Sequence, residues 1–164
     1  MNKRDIVIGL VILALVAGII FWSKKPRITP VETPTPTPEA KIEEKFNYEI
    51  PEDVNKIDLV DVSGGGSRGI ATRVYKDGRF EHVILADLPD PQAGYFYQGW
   101  LTTKGKEGEV GFSYVKTGKL RMAKGGYLLE FESKNDYTSF NQVWVTLEKV
   151  DDTKPEKHIL EGSF

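Results

Sequence analysis

The side chains that most often carry catalysis or metal binding are sparse in this chain. It has no cysteine, which excludes a thiol nucleophile and thiolate metal ligation. Its two histidines, His82 and His158, are far apart in sequence, and neither has a second ligand at metal-binding spacing. Each is expected to be structural or to face solvent. No G-x-S-x-G elbow supports a serine nucleophile. Acidic residues gather at Asp87/Asp90 and at Asp151/Asp152, but the D-x-D-x-D-G spacing of a calcium loop is missing, so both pairs read as strand exits and turns. Gly64, Gly66 and Gly69 satisfy G-x-G-x-x-G. A dinucleotide site needs such glycines to open a helix, whereas Gly69 to Tyr75 (GIATRVY) is alternating and β-branched, so a hairpin loop is expected. No catalytic residue, cofactor or metal is assigned on this reading, and the chain is expected not to be an enzyme.

Aromatic residues are the more distinctive feature. Tyr95, Phe96, Tyr97 and Trp100 fall within six residues, and Trp144 lies further on. Tyr95, Tyr97, Trp100 and Trp144 form the candidate partner or ligand surface, since exposed aromatic rings suit stacking on a sugar or a protein partner. Strand alternation puts Tyr95, Tyr97 and Leu101 on one side and Phe96 and Trp100 on the other. The competing reading is that these rings serve the core.

The elements that position them are short β-runs. Strands are predicted at Lys56–Ser63, Gly69–Tyr75, Phe80–Leu88, Tyr95–Thr102, Val110–Val115, Lys119–Ala123, Tyr127–Ser133, Val143–Lys149 and His158–Phe164. Val143, Val145 and Leu147 alternate with Trp144, Thr146 and Glu148, the pattern of a sheet with one face on a core. Asp77-Gly78 suits the positive φ of a tight hairpin, and Thr117-Gly118 and Gly125-Gly126 suggest two more. Residues 41–164 are expected to form an all-β antiparallel sandwich of seven to nine strands, without an amphipathic helix.

Ahead of this domain the composition changes twice. Ile6–Trp22 is a run without charge, flanked by Lys3 and Arg4 on one side and Lys24 and Lys25 on the other. Residues 6–22 are expected to cross a lipid bilayer as a single helix, with residues 1–5 as a short lead. Charge counting leaves its direction open. Residues 23–40, with five prolines interleaved with threonines, are expected to be a stiff extended stalk. Beyond the five basic residues and one acidic residue of the first 27, 17 Lys and Arg face 23 Asp and Glu, a net charge of −6. That balance disfavours nucleic acid as a partner.

Several segments also carry a resemblance: Gly94–Leu101 (GYFYQGWL), Gly118-Lys-Leu120, Val143–Glu148 (VWVTLE) and Lys154–Phe164 (KPEKHILEGSF). In this order they resemble the C-terminal extracytoplasmic domain of anti-sigma-K-type factors. The resemblance implies a β-sandwich on the outer side of the membrane and a cytoplasmic N-terminus. Met1–Asp5 offers no counterpart to that family's cytoplasmic sigma-binding segment. The expected role is therefore binding or sensing at the cell envelope, of a glycan or an envelope protein, by a membrane-anchored domain. Two alternatives stand beside it: a regulatory component of envelope signalling that acts through a partner subunit, and an envelope enzyme with an unrecognised site.

Overall fold

Side chains that alternate between core-facing and outward-facing positions, punctuated by turns that need positive φ, produce nine antiparallel strands in the computed structural model, which describes residues 37–105 and 107–164. The strands are β1 (Asn55–Asp61), β2 (Arg68–Lys76), β3 (Arg79–Asp87), β4 (Phe96–Thr102), β5 (Tyr114–Lys119), β6 (Arg121–Ala123), β7 (Gly126–Ser133), β8 (Gln142–Glu148) and β9 (Lys157–Ser163). The expected bilayer-crossing helix at 6–22, the lead at 1–5 and nearly all of the expected stalk lie outside the described residues. Among the described residues, no helix is long and apolar enough to cross a membrane.

All nine strands belong to one sheet, in the order β5-β4-β8-β9-β1-β2-β3-β7-β6. Its two edge strands, β5 and β6, are joined by Leu120 alone, whose amide donates to the Tyr97 carbonyl at 2.9 Å. The sheet therefore curls until its edges nearly meet, and its facing layers are opposite walls of one curved sheet. Inside lie Leu59, Phe80, Ile84, Leu101, Val143, Val145 and Leu160, all almost fully buried. Closure of this kind leaves little unpaired backbone to invite aggregation.

The turns follow their chemistry. Asp77 and Gly78 have φ of 53° and 75°, as a type I′ hairpin requires. The third hairpin turns one residue earlier than expected, at Lys124-Gly125 (φ 48° and 79°), and Gly126 already belongs to β7. Thr117-Gly118 is not a hairpin. Strand β5 runs through it from Tyr114 to Lys119, and its register against β4 shifts between Gly99 and Trp100. A glycine at φ +133° accommodates a bulge as readily as a turn, which explains the misplaced strands at Val110–Val115 and Lys119–Ala123.

A helix appears where none was expected. Pro38–Phe46, named α1, begins inside the segment 23–40 that is expected to be extended stalk. The Thr37 hydroxyl accepts from the Ala40 amide at 3.2 Å, Pro38 needs no amide partner in the first turn, and Asn47 closes the helix in the left-handed region. Nine residues are too few for a persuasive helical period, and tertiary contacts stabilise this one. Ile42 and Phe46, four apart, pack with Ile50 on Ile70 and Leu85 of the outer face of β2 and β3. Each such burial contributes roughly 2 kcal/mol, and Lys45 forms an ion pair with Asp87 of β3. Thr37→Ala should weaken the helix by about 1 kcal/mol, read as faster hydrogen exchange at the Lys41 amide, which donates to the Thr37 carbonyl; unchanged exchange would show that the cap contributes nothing.

Candidate functional site

The strands leave two ends to the curled sheet. The loops after β1 and β3 meet at one of them, where a groove of about 460 Å³ opens. Its apolar floor is made by Tyr97 at the start of β4, Leu147 at the end of β8 and Ile159 of β9. Tyr95, half-buried, forms a wall. Around the rim stand Asp61 at the end of β1, Ser63 and Ser67 from the first loop, Asp90 and Gln92 from the second, and Lys157.

Both loops are held in shape from below. Asp61 Oδ1 accepts from the Ser63 amide and hydroxyl, each at 2.8 Å, and from the Gly65 amide at 3.2 Å, while Oδ2 accepts from the Ser67 amide at 3.0 Å. Burial works against the charge of this carboxylate, yet those hydrogen bonds outweigh it and hold Asp61 down at about 2. The loop that matches G-x-G-x-x-G thus folds around the Asp61 carboxylate and leads into a strand. The second loop is tied by two phenols. Tyr97 donates to the Pro89 carbonyl at 3.0 Å and Tyr127 donates to Asp90 Oδ1 at 2.9 Å, with their rings edge-to-face at 5.1 Å. Burial and the Asp90 carboxylate push Tyr127 up to about 12, so it remains a hydrogen-bond donor throughout the physiological range.

The four aromatic candidates do not share one exposed surface. Tyr97 and Trp100 are 4 % and 1 % exposed, so Trp100 is closed to a partner and Tyr97 meets the groove only as part of its floor. Tyr95 alone borders the groove with part of its ring exposed. Trp144 lies on the other face of the sheet, stacked on Phe112 at 5.8 Å and packed against His158 at 4.6 Å. The reason is the nearly closed sheet: alternate residues of β4 point to opposite faces, and both faces are covered there. Neither histidine lines the groove. His82 is inside the sheet, and His158 pairs with Glu161 on the outer face at 2.5 Å.

Asp61, Gln92 and Lys157 escape a search for catalytic motifs, because their convergence depends on loops brought together by pairing of distant strands. Asp61-Val-Ser63 did carry a local signal, that of a side chain folding back on its own turn. Among the described residues no group of three or more acidic or histidine side chains is arranged to hold a metal ion. Comparison with protein-family models, with curated proteins and with solved structures gives no match in any of the three.

Proposed function

We propose that this protein is a non-enzymatic binding or sensing module at the cell envelope, and that the groove between the loops after β1 and β3 takes a polyhydroxylated ligand, a glycan of the envelope. The groove itself carries this reading. It combines an apolar floor, a partly exposed aromatic wall at Tyr95 and a rim of short polar side chains with one ammonium, Lys157. Sugars present an apolar C–H face for stacking and hydroxyls that both donate and accept, and this lining answers both needs. Display on a membrane anchor rests on the uncharged run Ile6–Trp22, and the outward orientation rests on the resemblance to anti-sigma-K-type ectodomains.

Titration of the protein with purified cell-wall glycans tests the proposal. Tyr95→Ala is expected to weaken binding by roughly tenfold, about 1.4 kcal/mol, with no change in the unfolding midpoint. Equal affinity for the original and the variant would place the ligand elsewhere. No binding to any glycan would leave the groove without its proposed occupant and favour a protein partner.

A further inference from the structure

At the opposite end of the curled sheet, two basic side chains face each other in the core. Arg73 of β2 and His82 of β3 occupy directly paired positions. The inward register that includes Ala71 and Ile84 carries both of them inside. His82 is completely buried, and Nδ1 lies 2.7 Å from the Thr72 carbonyl. A carbonyl only accepts, so Nδ1 carries the proton and Nε2 is left as an acceptor, for which no described group serves as donor. Arg73 is 7 % exposed. Its Nη1 donates to the Phe140 carbonyl at 2.7 Å and its Nη2 to Asn141 Oδ1 at 3.2 Å, and its guanidinium lies 3.9 Å over the Phe164 ring. Arg73 therefore fastens the connection between β7 and β8, and the segment after β9, to β2.

Other elements around the pair supply little countercharge. The cross-strand neighbour of His82 on β7 is Phe131, and Tyr137 of the β7–β8 connection packs on Phe80 and Phe131. Asp136 of the same connection acts on Arg73 only through space. Glu81 and Glu132 are bound to Arg79 near the hairpin.

We propose that Arg73 and His82 form an acid-operated latch on this end of the sheet. Protonating His82 creates a second cation opposite Arg73, at a separation of about 5 Å between Cβ atoms, in surroundings that screen charge poorly. It also turns Nε2 into a donor with no acceptor among the described residues. Arg73 has the cheaper escape: it leaves the Phe140 carbonyl and Asn141, and the connection 134–141 opens with the segment it covers. Burial chiefly, with the nearby Arg73 charge added and the Thr72 hydrogen bond opposing, lowers His82 to about 4, so the latch holds at neutral pH and yields in acid.

Hydrogen exchange of the full chain, at neutral pH and at about pH 4 and corrected for intrinsic rates, tests this. Release predicts that amides of 134–141 and the Phe164 amide, which donates to the Asn141 carbonyl, lose roughly tenfold more protection than the β2–β3 ladder. In His82→Gln, which cannot titrate, that selective loss should vanish; His82→Phe, an apolar replacement, serves as the second variant if the first folds poorly. Selective loss that persists in either folded variant, uniform loss across the sheet, or no loss in the original protein would each overturn the latch.

Discussion

Trp100→Ala is expected to destabilise the protein by about 4 kcal/mol. Trp100 is 1 % exposed although it stands on the face of β4 opposite Tyr97 and Leu101, which point into the core. Its ring meets Tyr114 edge-to-face at 5.7 Å and lies opposite Trp144 in the ladder. Its Nε1–H donates to the Thr146 hydroxyl at 2.8 Å, and that hydroxyl reaches the Gln98 carbonyl at 3.3 Å. Truncation would leave a large cavity and strip Thr146 of its donor. Trp100→Phe keeps much of the bulk while losing the hydrogen bond, which accounts for about 1–2 kcal/mol, so the difference between the two variants reports mainly the packing. Urea unfolding followed by circular dichroism measures both. A loss below about 1 kcal/mol for Trp100→Ala would mean that this ring is not packed as described and would revive it as a ligand surface.

Gly162→Ala should cost about 3 kcal/mol, an overpacking effect at the upper end of its usual range. A Cβ at Gly162 would stand 2.6 Å from the Asp58 carbonyl oxygen, 2.7 Å from Leu59 Cδ2 and 3.0 Å from Ile57 Cδ1. The side chains can turn aside, but the Asp58 oxygen belongs to the backbone of β1. Relief therefore requires β9 and β1 to separate where only Val60–Glu161 and Asp61–Leu160 pair them. Because this seam joins the two halves of the sheet, the variant should also unfold less cooperatively in urea. A fully stable Gly162→Ala protein would show that β1 and β9 are more widely spaced than this structure has them.

How much of this was legible in the sequence differs from element to element. Strands β2, β3, β7 and β8 could be placed within a residue or two because their periodicity and their turns agree, as at Asp77-Gly78. Strand β5 is not legible in this way, because Thr-Gly signals a turn and a bulge equally well and only pairing with β4 decides between them. Helix α1 was missed because its stabilising surface, Ile70 and Leu85, lies on other strands. The groove was half visible: Tyr95 was named as a candidate, whereas Asp61, Gln92 and Lys157 are separated by up to 96 residues and carry no shared motif.

The all-β class, the tight hairpin after β2 and the lack of any thiol chemistry can be read along the chain, since they depend on local periodicity, local backbone preference and composition. Which aromatic rings face solvent, which basic residues meet in the core and which loops border the groove depend instead on contacts between distant strands. Strand alternation tells a residue which of two faces it takes. It does not tell whether that face will be covered, and that depended on how nine strands curl into one nearly closed sheet.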